Sequence, residues 1–119
     1  MHGLIRAIKA ISDETRLRIL RVLMERECCV CEIMQALDIS QSRSSRNLSI
    51  LENAGYVKSK RDGFWTVHFI DVQNTDKYYE TFVRTVKDAL KGDEQVALDL
   101  ERLKKAARVG PTKVNQAKS

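Results

Sequence analysis

Proline is almost missing from this chain of 119 residues: Pro111 is its single copy, and only five glycines accompany it. A sequence so poor in both is neither collagen-like nor a low-complexity linker, and the shortage of breakers points to helix-rich structure. No apolar run comes near the length of a membrane-crossing helix. The opening Met1-His2-Gly3-Leu4-Ile5-Arg6 has neither the basic region, the apolar core nor the cleavage site of a secretory signal. The expectation is therefore a cytoplasmic protein with no membrane partner. Histidine is limited to His2 and His68, and no internal repeat is visible. Cysteine is limited to Cys28, Cys29 and Cys31. An odd count at such tight spacing argues against a disulfide framework, and reducing conditions keep thiols free.

What the chain does contain is enough for one domain with a thin core. Its formal net charge of +5 permits nucleic acid or another anionic surface as partner without requiring one. The cysteine cluster is the densest chemistry. Three thiols within four positions can gather soft sulfur ligands on one small ion with no long-range folding.

Periodicity divides the chain into short helices, a hairpin and a helical end. Leu4, Ile8 and Ile11 recur at helical spacing. Ser12 or Asp13 can cap a second helix, with Arg18, Arg21 and Glu25 outward and Leu20, Leu23 and Met24 inward. A short extended stretch from Glu27 to Val30 leads into a third helix that buries Ile33, Ala36 and Leu37 and ends at Asp38. Ser40 is a good N-cap for a fourth, which Gly55 stops. The β-rich runs Tyr56–Lys60 and Phe64–Ile70 flank Arg61-Asp62-Gly63, a hairpin signal. A helix follows over Thr75–Leu90, with Tyr78, Phe82, Val86 and Leu90 four apart. After Gly92, Asp93 caps a last helix that turns Val96, Leu100 and Leu103 inward. The class is thus mainly α with a small β-hairpin (α+β), a winged helix-turn-helix. Residues 1–106 form its DNA-binding and dimerisation domain, and 107–119 are expected to be a polar, disordered tail.

The motifs carry a specific resemblance. Ile11-Ser12-Asp13-Glu14-Thr15-Arg16-Leu17-Arg18-Ile19-Leu20 resembles the opening signature of the ArsR/SmtB metalloregulatory repressors. Glu27-Cys28-Cys29-Val30-Cys31-Glu32-Ile33 resembles that family's Cys-Val-Cys box, Ser40–Leu48 its recognition helix and Gly63–Phe69 its wing. The match covers about positions 4 to 72 with all motifs in order. It implies a repressor that leaves operator DNA when arsenite or antimonite is bound, with Cys29 and Cys31 matching the family's ligand pair. Some members have a third cysteine three positions further on, where this chain has Met34. A thioether cannot replace a thiolate on trivalent arsenic. Whether Cys28 completes a three-sulfur site stays open, with all three cysteines taken as the metal-ligating set. No cofactor is required for DNA binding.

The DNA contact can also be read from the residues. A helix fits the major groove, where donors and acceptors on side chains read base edges. Gln41, Ser42, Arg43, Ser45, Arg46 and Asn47 offer such groups, while Leu48 and Leu51 anchor the other face. Lys58, Lys60 and Arg61 around the wing suit phosphates, which set register and salt dependence. The family commonly has an apolar residue at the position of Ser44 and His at that of Asn47, so Ser44 should weaken anchoring and Asn47 alter base preference.

With Cys29 as the N-cap of the third helix, Glu32 completes a capping box, and the positive end of the helix dipole favours thiolate at Cys29 and Cys31. Residues two apart in a regular helix point away from each other, so joint ligation should unwind the helix start. The family's other sensor site, for zinc on the late helix, lacks histidine between Thr75 and Leu90 and is not expected. His68 is expected to pack or touch phosphate. Resemblance further implies a homodimer on double-stranded operator DNA, and the stripes Leu4, Ile8, Ile11 and Tyr78, Phe82, Val86, Leu90 are its expected interface. A thiol redox sensor of the same fold is the alternative. A thiol enzyme is set aside, because neither Cys-x-x-Cys near a βαβ unit nor an anion-binding loop is present.

Overall fold

The computed structural model describes residues 1–110 and 112–114. Along the chain run α1 (His2–Ala10), α2 (Glu14–Glu25), α3 (Val30–Leu37), α4 (Gln41–Asn53), β1 (Val57–Asp62), β2 (Trp65–Ile70), α5 (Lys77–Ala89) and α6 (Glu94–Lys105). Residues 112–114 add a last helical turn.

Local chemistry sets most boundaries. Asp13, Ser40 and Asp93 sit in extended conformation at N-caps, and their side chains accept the backbone N–H groups of Arg16, Arg43 and Val96 at 3.0, 3.2 and 3.0 Å. Asp38 ends α3 in the left-handed region, φ 57°, and starts the tight turn into α4. Gly55 is required twice over. Its φ is +97°, and a Cβ there would stand 2.5 Å from Tyr79 Oη. The hairpin is tighter than the sequence suggested. Asp62 pairs with Trp65, so Gly63 and Phe64 alone make the turn, with Gly63 at φ +63°.

The core lies where α2, α3 and α4 meet beneath the β1–β2 hairpin. Ile19, Leu20 and Val22 of α2, Ile33 and Leu37 of α3, and Leu48 and Leu51 of α4 are fully buried in it. Tyr56 ties in α1 by donating its hydroxyl to the Ala7 carbonyl at 2.8 Å, and meets Tyr79 edge-on at 4.9 Å. Arg18, expected outward, instead reaches into the α2–α6 junction. Its Nε and Nη2 donate to the two carboxylate oxygens of Asp99, each at 2.8 Å, and Nη2 also donates to the Leu37 carbonyl at 2.9 Å. Asp99 is 1% exposed, and its hydrogen bond holds the Arg18 pKa above the ordinary value. Losing one member of such a buried pair costs about 3–5 kcal/mol.

The expected disordered tail needs correction. Ala107, Arg108 and Val114 hold this segment to α3 and the hairpin, while Pro111 and 115–119 fall outside the described residues. Gln35 and Ala107 exchange two hydrogen bonds, Nε2 to carbonyl at 2.7 Å and N–H to Oε1 at 3.2 Å. Val114 is buried against Cys29, Cys31 and Met34. Specific polar partners and one apolar anchor hold the segment where composition alone promised none.

Candidate DNA-binding face and cysteine site

α3 and α4, joined through Asp38, Ile39 and Ser40, form the helix-turn-helix, and the β1–β2 hairpin is the wing. On α4, Gln41, Ser42, Arg43 and Arg46 are exposed and Ser45 is half-buried. Arg43 also donates to the Thr15 hydroxyl at 2.8 Å, which links the recognition helix to α2. Ser49 is exposed and extends the row of Ser42, Ser45 and Arg46 by one turn; helical spacing could have added it to the expected contacts.

Asn47 does not belong to that face. It is buried, donates from Nδ2 to the Arg43 carbonyl at 2.9 Å and accepts Arg16 Nη1 on Oδ1 at 3.1 Å. Arg16 in turn donates from Nε to the Ala10 carbonyl at 2.6 Å, closing the end of α1. Asn47 is thus a brace between α4 and the α1–α2 corner. Ser44 is fully buried, and its hydroxyl is satisfied by donating to the Ser40 carbonyl at 2.9 Å.

The three wing cations differ. Lys58 lies 3.7 Å from Asp71, and Lys60 lies 2.9 Å from Glu27 with its ammonium 5.4 Å from the Phe69 ring centre. Arg61 is exposed and forms no ion pair among the described residues. Phe64 at the tip is 95% exposed. His68 packs instead of facing outward: Nδ1 is 2.9 Å from Glu52 Oε1, and its backbone pairs with that of Cys28.

The cysteines divide into two environments. Cys29 is the N-cap of α3, in extended conformation, and its N–H donates to Glu32 Oε1 at 3.0 Å. That extended residue swings its side chain over the first turn, so Cys29 and Cys31 meet as a disulfide with Cα atoms 5.4 Å apart. One expectation changes: the pair is joined rather than free, on a regular first turn of α3. Cys28 belongs elsewhere. Its backbone pairs antiparallel with His68, and its thiol lies in the main core, donating to the Arg26 carbonyl at 3.5 Å. Burial pushes that thiol up to about 12. Adjacent positions on extended backbone face opposite ways, so the expected three-cysteine set is not assembled. Among the described residues no three His, Cys, Asp or Glu side chains converge as a metal site.

Glu32 is buried beside the pair. It is bound by Arg26, and Arg108 approaches it at 3.4 Å. Arg108 also donates to Asp62 at the wing tip at 2.8 Å, and this hydrogen bond holds the Asp62 carboxyl below its ordinary range. The segment after α6 thus spans from the cysteine pair to the wing, a connection no local sequence pattern signals.

The expected dimer stripes are unequally available. Leu4 and Ile8 are 41% and 49% exposed, joined by Ile5 at 41%. Ile11, Tyr78, Phe82 and Leu90 are half-buried against the chain's own core. Val86 is buried within it, so it is corrected from interface to core. No helix among the described residues is long and apolar enough to cross a membrane.

A recognition helix, a wing and their supporting helices define a winged helix-turn-helix DNA-binding transcriptional regulator, a class of regulators and not of enzymes. The family model "Bacterial regulatory protein, arsR family" matches residues 13–59. An uncharacterised HTH-type transcriptional regulator of Methanocaldococcus jannaschii is 43% identical over 63 residues, 52% of this chain and 71% of that protein. The arsenical resistance operon repressor of Escherichia coli is 42% identical over 66 residues, 55% of this chain and 56% of that one. The cadmium resistance regulator CadC of Listeria innocua is 41% identical over 63 residues, 52% and 53% of the two chains. The chain therefore spans little more than half the length of these two metal-resistance regulators. In fold it is similar to a homodimeric winged helix-turn-helix domain of Mycobacterium bovis, with a TM-score of 0.64 at 24% identity, covering 78% of this chain and 82% of that one. The chain belongs to the arsR family.

Proposed function

We propose that this protein is a repressor that holds operator DNA as a homodimer and releases it when arsenite or antimonite is bound by Cys29 and Cys31. One observation carries the reading. The two sulfurs lie together on the first turn of the first helix of the helix-turn-helix, beneath the segment that Arg108 ties to the wing. An ion between them occupies space that Val114 now fills and loosens that segment. Release of Arg108 from Asp62 then frees the wing from its present position. Ligation acts through the covering segment, with no unwinding of α3. Leu4, Ile5 and Ile8 supply the exposed apolar face for two-fold pairing, which sets two recognition helices about 34 Å apart along DNA.

The disulfide favours a second reading, in which the pair senses oxidants. Peroxide would take two electrons and two protons from the two thiols, giving the disulfide and two waters. One titration separates the readings: anisotropy of labelled promoter DNA with reduced protein and arsenite, antimonite, cadmium, zinc or peroxide added singly. Release by arsenite or antimonite at ligand equal to protein supports the first. Release by peroxide alone, with no response to any ion, replaces it with the second.

A further inference from the structure

We infer that Phe64, at the tip of the wing, is an apolar wedge that enters the minor groove of the DNA site and partly unstacks a thymine–adenine step there. The inference rests on the DNA-binding class of the fold and not on the cysteine pair. Phe64 is 95% exposed, whereas its neighbour Trp65 is half-buried against the cluster of Cys29, Cys31 and Val114. A lone exposed apolar side chain is ordinary by itself. The mounting of this one is not. Asp62 pairs with Trp65, so Phe64 is one of only two turn residues. Gly63 takes a positive φ of 63° and Phe64 does not, which is the pattern of the hairpin turn whose twist matches its strands. Behind the tip both strands are fastened: Trp65 against the cysteine cluster, Lys60 to Glu27 at 2.9 Å, and Asp62 to Arg108 at 2.8 Å. The ring is held out on a braced support.

Reach and chemistry select the groove. Val57 is buried and Lys58 to Asp62 are exposed, so β1 leaves the core at its first residue. A six-residue strand extends about 20 Å. That is comparable with the half turn of duplex, roughly 17 Å, between a major groove and the next minor groove. With α4 in the major groove, the wing tip reaches the minor groove beside it. A phenyl ring offers no hydrogen bond to a phosphate or a base edge, but minor-groove proteins insert such side chains between base steps. Pyrimidine–purine steps unstack most readily, and a thymine–adenine step puts no guanine amino group on the groove floor. The charges agree. Arg61, exposed and without an ion pair among the described residues, meets a phosphate at the groove edge, and the Asp62 carboxylate at the tip is matched by Arg108. Insertion bends the duplex toward the major groove that α4 occupies. The deformability of the step is then read without a hydrogen bond to any base.

The test uses the full chain, reduced and without added ions, on a duplex of its promoter DNA. Hydroxyl-radical footprinting first locates the minor groove protected beside the recognition helix, and a thymine–adenine step is placed there. 2-Aminopurine replacing the adenine of that step should brighten when wild type binds and stay quenched with Phe64→Ala. Wild type should prefer this step over adenine–adenine by about fivefold or more. Phe64→Ala should lose the preference and bind about tenfold more weakly, while Phe64→Leu keeps most of both. Equal affinity in Phe64→Ala, or a loss that is the same for both steps, overturns the wedge. A footprint with no minor-groove protection does so too. A lower sedimentation coefficient in Phe64→Ala assigns the ring to a contact between copies and also overturns it. Because the ring is exposed, urea unfolding of the variant should match wild type, which separates each result from misfolding.

Discussion

Single residues carry two chemistries that look alike in the sequence. Asn47 has the amide of a base reader, yet both ends of it are engaged by Arg16 and the Arg43 carbonyl. Asn47→Ala should therefore lower stability by about 1–2 kcal/mol in urea unfolding while leaving the ranking of operator variants unchanged. Arg46→Ala is the contrast: fold stability should hold, and discrimination at one base pair should fall by about 1–3 kcal/mol. A shifted ranking in the Asn47 variant would return that residue to the groove. Cys28 makes a similar point. Its folded thiol titrates at about 12, and an unfolded one near 8.5. The unfolded chain loses its proton first, so the native state binds more protons between these values and stability falls as pH rises through them. Below that window the contribution is whole. Urea midpoints measured from pH 7 to 11 should drop less steeply in Cys28→Ala, with a residual slope from Tyr56 and Tyr79, whose hydroxyls burial also raises.

The wing and the segment after α6 engage their cations differently. In the wing, Arg61 has no carboxylate within ion-pair distance among the described residues, whereas Lys58 and Lys60 do. Arg61→Ala should weaken binding to every sequence alike and shave the salt slope by ~1, as read from binding constants across a salt series. In the segment after α6, Arg108 is instead engaged twice, by Asp62 and by Glu32. Arg108→Ala should preserve DNA affinity without inducer within about threefold but reduce the loss of affinity on adding arsenite. Unaltered release in that variant would remove the segment from the response. Much at this scale was legible beforehand. The caps Asp13, Ser40 and Asp93, the stop at Gly55 and the hairpin all follow from nearest neighbours in the chain, which is why the helix boundaries and wing could be read. The clasp between Gln35 and Ala107 joins positions far apart in sequence, and no local signal announces it.

For the whole molecule the question is what covers α1. Leu4, Ile5 and Ile8 form an exposed apolar face on a chain whose other stripe, through Val86, is already spent on its own core. Ile8→Glu should shift the protein to monomer in sedimentation and raise the apparent Kd for a two-half-site operator by about tenfold or more, leaving a single half-site little changed. An unchanged sedimentation coefficient would place the interface elsewhere.

The sequence by itself determined the class of fold, the helix-turn-helix with its wing, and the family, because each depends on residues within a few positions of one another. Tertiary structure decided the rest. It set Cys28 in the core and Asn47 in a brace, turned Arg18 inward to Asp99, and packed Val114 over the cysteines. These outcomes depend on which faces meet across long separations. Burial and partner geometry then fix whether a thiol, an amide or a guanidinium is available for chemistry or held in structure.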